Sequence, residues 1–285
     1  MKVAFQGEPG ANSHIACQEV FPNAEALPCP TFEDAFAAVT SGRAAHAMIP
    51  IENSVAGRVA DIHHIMPGSD LHIVDEHFLR VRHQLLGLKG ATLATLRTVH
   101  SHVQALGQCR ETLQSYKLTP IVAADTAGSA REISEAGDLT RGAIATSLAA
   151  DIYGLEILAA DVEDASHNTT RFIILSPEEK RADPDGDNVI TTFVFRVRNL
   201  PAALYKALGG FATNGVNMMK LESYQLEGQF FASQFYADVI GHPDDEAVGR
   251  ALDELAFFCS EFRILGVYRA HPFRRNILEL DAQAK

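Results

Sequence analysis

The stretch "SPEEKRADPDGDN", residues 176–188, divides this sequence in two. It is charged, carries Pro177, Pro184 and Gly186, and has almost no apolar residue. That composition opposes regular structure and marks a connection, placed at 179–188. Upstream, short apolar runs alternate with helical patterns. Strands are expected at 2–6, 46–51, 96–101, 142–146 and 156–162, and helices at 12–21, 54–66, 102–116 and 148–154. This alternation predicts an α/β domain over 1–178 with mostly parallel sheets. Downstream the rhythm changes. "VITTFVFRVR" (189–198) alternates like a strand. "PAALYKALGGFATNG" (201–215) reads as a helix with Pro201 near its start and Gly215 past its end. Two strands joined at Glu227-Gly228, a helix over 243–260 and a strand over 262–270 follow. The order βαββαβ predicts a ferredoxin-like domain over 189–272, with a tail from 273 to 285.

The 285 residues are 47% apolar and 21% charged, enough for a packed core and unlike a disordered chain. No apolar run is long enough to span a membrane, and the opening "MKVAFQGEPG" has too short an apolar stretch for a signal peptide. Cys17, Cys29, Cys109 and Cys259 are scattered without a CxxC pair, which points to a reducing cytoplasm. A cytoplasmic chain would not have its Asn168-Thr169-Thr170 sequon glycosylated. The net charge of −12 disfavours a nucleic-acid partner. An anionic ligand must then be held by local donors and not by the overall field.

Four polar clusters fall at the carboxyl ends of predicted strands, where α/β domains place ligands. In "GEPGANSHIA", Gly7 and Gly10 permit a tight turn, and Asn12 or Ser13 can cap the helix whose free N–H groups favour an anion. In "PIENSVAG", Glu52, Asn53 and Ser54 follow a strand directly, and Ser54 can cap the next helix. In "VHSHVQALGQC", Ser101, Gln104 and Gln108 share one helix face, either a solvated surface or a pocket wall. In "NTTRF", Arg171 offers a planar fork suited to a carboxylate or to a surface ion pair. Thr169 and Thr170 add hydroxyls, and Phe172 begins an apolar strand. No His, Cys or carboxylate set converges as a metal site would. No dinucleotide fingerprint or P-loop is present, so no cofactor is expected. The residues suit a small, oxygen-rich anion without naming a reaction.

Taken in order, "GEPGANS", "IENSVAG", "SHVQALGQC" and "TRF" resemble the motifs of prephenate dehydratase, and the trailing βαββαβ segment resembles that family's ACT regulatory domain. The likeness covers about residues 1 to 270. It implies a two-lobed catalytic domain like a type II periplasmic binding protein, lobe one about 1–77 plus 158–178 and lobe two about 78–157. The implied reaction is decarboxylation and dehydration of prephenate to phenylpyruvate, in phenylalanine biosynthesis, without cofactor. Thr170 would donate to the leaving hydroxyl and Arg171 would anchor a carboxylate. Ser13, Asn53, Ser54, Ser101, Gln108, Thr169 and Phe172 would complete the substrate site. Glu52 would serve catalysis or structure.

The resemblance also implies L-phenylalanine as allosteric effector and a homodimer or homotetramer. The effector residues would be Asn199, Leu200, Ala202, Ala203 and Leu204 in "NLPAAL", with Glu222 and Ser223 in "ESYQ". Two departures weaken feedback: Ala202 stands where the family has Gly, and Tyr224-Gln225 where it has Arg-Pro. Arogenate dehydratase, the same chemistry on the aminated substrate, is an alternative reading, as is a non-catalytic amino-acid sensor.

Overall fold

The structure is a computed structural model and describes residues 1–59, 62–198, 200–225 and 234–274. The chain packs as two units, residues 1–59 with 78–172, and residues 60–77 with 173–285. The elements run β1 (Lys2–Gln6), α1 (Asn12–Val20), β2 (Glu25–Cys29), α2 (Phe32–Thr40), β3 (His46–Asn53), β4 (Gly57–Arg58), α3 (Ile62–Ile65), β5 (His72–Arg80), β6 (Gln84–Gly87) and β7 (Thr98–Ser101). Then come α4 (Val103–Gln108), α5 (Arg110–Ser115), β8 (Thr119–Val122), α6 (Thr126–Ala136), β9 (Arg141–Ala145), α7 (Ser147–Tyr153), β10 (Glu156–Ala159) and β11 (Thr169–Ser176).

One sheet of the first unit runs β2-β1-β3-β11-β5 with β4 beside β3, and β5 and β11 each continue into the second unit. The other runs β10-β6-β9-β7-β8. Both sheets are mixed, where the sequence rhythm predicts mostly parallel ones. β1 pairs in parallel with β2 and β3, but β6 pairs antiparallel with both β9 and β10. The helices that frame this unit are closed by their own residues. Thr31, Asp125 and Thr146 accept a backbone N–H at the starts of α2, α6 and α7. Gly137 and Gly154 end α6 and α7 in the left-handed region.

Two expected helices are different in the structure. Over 54–66, the Asn53 Oδ1 captures the N–H groups of Val55 and Ala56, and Gly57–Arg58 folds back against Glu52–Asn53. The side chain thus offers the backbone a turn in place of a helix, and among the described residues of this stretch only Ile62–Ile65 is α-helical. Over 102–116, the helix breaks at Cys109, whose φ of −118° and ψ of 22° leave the helical region. The Gln108 carbonyl there accepts from Asp164 N at 2.7 Å instead of continuing the ladder.

In the second unit, β12 (Val189–Val197), α8 (Ala203–Thr213), β13 (Met218–Tyr224), β14 (Gln234–Ile240), α9 (Glu246–Phe258) and β15 (Cys259–Arg269) keep the βαββαβ order. They form an antiparallel sheet ordered β13-β14-β12-β15, second-third-first-fourth. Phe193, Phe195, Phe211, Phe235 and Leu255 build the core between sheet and helices. The predicted turn at Glu227-Gly228 and the tail from 275 onward lie outside the described residues. Residues 60–77, expected in lobe one, pack with this unit. Arg263 donates to the carbonyls of Pro67 and Ser69 at 3.2 and 2.8 Å. The main chain at Ile73 lies so close to Gly266 that an added Cβ would meet the Ile73 oxygen at 2.1 Å. Buried Arg274 binds buried Glu76 through two hydrogen bonds of 2.6 and 2.8 Å.

Candidate active site

Three of the four polar clusters contribute to one hydrogen-bonded group in the first unit. Asn53, at the end of β3, is held at its Oδ1 by Val55 N (3.0 Å) and Ala56 N (2.8 Å). That fixes which end of the amide is nitrogen. Its Nδ2 donates to Asn168 Oδ1 at 2.8 Å and to Thr170 Oγ1 at 2.9 Å, so both hydrogens are used. Asn168 in turn donates from Nδ2 to Gln108 Oε1 at 2.9 Å. Next to this line, Ser54 Oγ donates to the His167 carbonyl at 2.8 Å and accepts from Thr169 N at 2.9 Å. Two neighbouring loops are thereby tied side by side.

Thr170 occupies a particular place in this group. Its oxygen accepts from Asn53, and among the described residues no acceptor takes its proton. The half-buried hydroxyl is therefore a free donor with one lone pair already oriented. Gln108 is similar: with Oε1 occupied, its Nε2 hydrogens remain for a ligand. Gln108 also lines a cavity of about 370 Å³, together with Gln104, Gly107, Glu163, Asp164 and Asn168. Thr170 and Asn53 do not line that cavity and connect to it through Asn168.

The other candidates fall elsewhere. Arg171 is 1% exposed and donates from Nη1 to Glu52 Oε1 at 2.9 Å, with Glu52 at 33%. The guanidinium thus faces an internal carboxylate. Ser101 is buried and donates to the Ile144 carbonyl at 2.7 Å. It does not cap α4, which His102 caps. Ser13 is buried in the first turn of α1, whose N-cap is Ala11 with no side-chain cap. Neither serine bonds to the Asn53–Thr170 group. Phe172 is buried at 1% as a packing residue. The "GEPG" loop instead meets α7: Thr146 Oγ1 donates to the Gly10 carbonyl, and Tyr153 OH donates to the Pro9 carbonyl at 2.9 Å. Gly10 has φ +91°, and a Cβ there would lie 2.7 Å from Ala149 Cα.

Sequence reasoning missed two members of the group. Asn168 stands in the quoted motif, yet only the fold shows its amide joining Asn53 to Gln108. His83 sits in "VRHQLLGL", an apolar run that carries no chemical signal. The structure brings its Nε2 to 2.8 Å from Gln108 Oε1. Burial holds the His83 pKa below its ordinary value. Among the described residues no three His, Cys, Asp or Glu side chains are grouped to hold a metal ion.

The sequence profile of prephenate dehydratase matches residues 3–180. The chain belongs to the prephenate dehydratase family. It is accordingly a dehydratase, a hydro-lyase, which removes the reading as a non-catalytic sensor. The chain is 54% identical, over 96% of its length and 98% of the relative's, to a Komagataeibacter europaeus protein named bifunctional N-acyl-homoserine lactone acylase/prephenate dehydratase. It is 39% identical to a chloroplastic arogenate dehydratase/prephenate dehydratase of Arabidopsis thaliana, over 94% of this chain and 72% of that one. Among solved structures, prephenate dehydratase from Arthrobacter aurescens in complex with L-Phe superposes with a TM-score of 0.87, at 28% identity and covering 100% and 99% of the two chains. All four motifs of this family lie within residues 3–180, and the Asn53–Asn168–Thr170 group joins the second to the fourth.

Proposed function

We propose that the chain converts prephenate to phenylpyruvate, with Thr170 as the donor to the departing ring hydroxyl. One observation carries this reading: Asn53 occupies a lone pair of Thr170 Oγ1 and leaves the O–H proton to be given away. Loss of carbon dioxide breaks a carbon–carbon bond whose electron pair enters the ring. Loss of the hydroxyl completes the aromatic system, and the departing oxygen needs a proton or a hydrogen bond as charge develops on it. A threonine hydroxyl is a weak acid, so its contribution is that of a donor already oriented before reaction. Gln108 Nε2 and the Ser54–Thr169 pair position the substrate.

Arg171 takes a different role from the carboxylate anchor its type suggests. Its charge cancels that of Glu52, which would otherwise repel a dianionic substrate. Thr170→Ala is expected to lower kcat by about a hundred- to a thousand-fold, with the fold retained. The assay is phenylpyruvate absorbance from prephenate with no added cofactor, and near-normal turnover by the variant removes Thr170 from catalysis. Running arogenate alongside prephenate decides between the two substrates, which differ in one side-chain carbonyl or ammonium.

The 54% identity to a protein also named as an N-acyl-homoserine lactone acylase favours a second activity. Incubation with an N-acyl-homoserine lactone, reading release of the fatty acid, tests it. Equal loss in Thr170→Ala would place both activities at one site.

The βαββαβ unit acts as the ACT domain, binding L-phenylalanine in a homo-oligomer of a cytoplasmic enzyme. Support comes from its strand order and from the L-Phe complex of the Arthrobacter relative. Ala202, Ala203 and Leu204 open α8, Leu200 is exposed beside them, and Glu222 and Ser223 lie on β13. Asn199 lies outside the described residues. Tyr224 is buried and accepts from Gln234 Nε2 at 2.6 Å, so it offers no cation to an amino-acid carboxylate. Weak inhibition is expected when phenylalanine is titrated against turnover and sedimentation, and no change in either ends the regulatory reading.

A further inference from the structure

His83 lies between β5 and β6, 3% exposed, and all of its polar groups but one have a partner among the described residues. Its carbonyl accepts from Val162 N at 2.8 Å, and its N–H donates to Glu163 Oε2 at 2.9 Å. Nδ1 is buried with no hydrogen-bond partner among the described residues, whereas Nε2 is 2.8 Å from Gln108 Oε1. An amide oxygen only accepts, so the ring proton sits on Nε2. Gln108 Oε1 then receives two donors, from His83 and from Asn168. Its amide cannot flip without facing Nε2 against two N–H groups.

We propose that His83 is a positioning residue for the dehydration: its Nε2–H, together with the Asn168 amide, locks Gln108 Oε1 and so leaves both Gln108 Nε2 hydrogens to the substrate. Donors run from Asn53 to Asn168 and from Asn168 to Gln108 Oε1, where they meet the donor from His83. Thr170 accepts from the other Nδ2 hydrogen of Asn53, whose own orientation the Val55 and Ala56 N–H groups fix. A buried imidazole suits the task because it supplies one N–H from a rigid ring. The flexible cations in this region are otherwise placed, as with Arg80, 3.9 Å from Glu163.

This inference rests on the reading of Gln108 as a group that positions the substrate, and its test separates the two. Wild-type turnover of prephenate or arogenate is measured first, and its absence defeats the functional reading alone. His83→Leu removes the N–H, whereas His83→Gln places an amide N–H close to the Nε2 position. Misdirected groups cost on the order of a hundredfold. His83→Leu is therefore expected to lose at least about tenfold in kcat/KM, and His83→Gln to recover most of it. Equal loss in both variants, or full activity in His83→Leu, overturns the proposal. Imidazole ¹⁵N shifts of the unmodified protein at neutral pH judge it independently of turnover. A proton on Nε2 and none on Nδ1 supports it, and the reverse tautomer sinks it even if His83→Leu fails to fold.

Discussion

At the scale of single residues, the site is built from short polar side chains whose partners leave little choice of orientation. Asn53 uses all four of its hydrogen-bonding positions, two backbone N–H groups in and two donors out. The Arg171–Glu52 pair is the other decisive contact, and its energetics can be separated. Removing one member of a buried ion pair costs about 3–5 kcal/mol. Glu52 keeps a third of its side-chain surface, so Arg171→Met is expected at the low end, about 3 kcal/mol by denaturant titration. The double change Arg171→Met with Glu52→Gln should recover much of that, because both charges of the pair are removed together. If the double variant is as unstable as the single, Arg171 acts through packing and not through charge. At this scale Thr170, Asn53 and Gln108 were legible in the motifs, as residue types suited to oxygen-rich anions. That Arg171 faces Glu52 was not, because residues 119 apart in sequence meet only through sheet order.

At the scale of elements, sequence periodicity found most strands and the helices of the βαββαβ unit, and it failed where side chains compete with the backbone. The helix expected over 54–66 loses its start to the Asn53 turn, and the one over 102–116 is cut where Gln108 gives its carbonyl to Asp164. The entry to α8 is the converse case. Ala202 is its N-cap at φ +62°, a left-handed conformation that costs an L-residue about 1–2 kcal/mol. Glycine there relieves the strain but adds entropy to the unfolded chain, about 0.5–1 kcal/mol. Relief wins by a small margin, and Ala202→Gly should raise the melting temperature slightly. A fall in its place would mean that the exposed methyl makes a favourable contact worth more than the strain.

At the scale of the whole molecule, stability should depend on pH in a direction set by buried and half-buried histidines. His14, His83, His100 and His271 all have pKa values lowered, with burial the first cause in each. The folded chain therefore refuses protons that the unfolded chain accepts near the ordinary value of 6.5. Stability is fully present above that pH and falls as pH drops below it. Urea midpoints at pH 7.5 and 5.5 should show the fall, and His83→Gln should make it shallower. An unchanged slope in that variant would place His83's proton uptake elsewhere. A second whole-molecule feature is the pair of buried carboxylates Glu76 and Asp238, both near Arg274, a residue just inside the predicted tail.

By itself, the sequence was sufficient for the α/β rhythm of its first part and the βαββαβ order of its last. These depend on local hydrophobic period and turn composition, which are written along the chain. It was also sufficient for the four motifs and their order. Only the tertiary structure decided that residues 60–77 pack with the second unit, that both sheets of the first are mixed, and that Gly10 is a contact point with α7. Only the fold, too, linked His83, Gln108, Asn168, Asn53 and Thr170 into one hydrogen-bonded group. The reason is the same in each case. Sheet order and hydrogen-bond direction arise between residues far apart in sequence, and no local pattern encodes which distant donor will meet which acceptor.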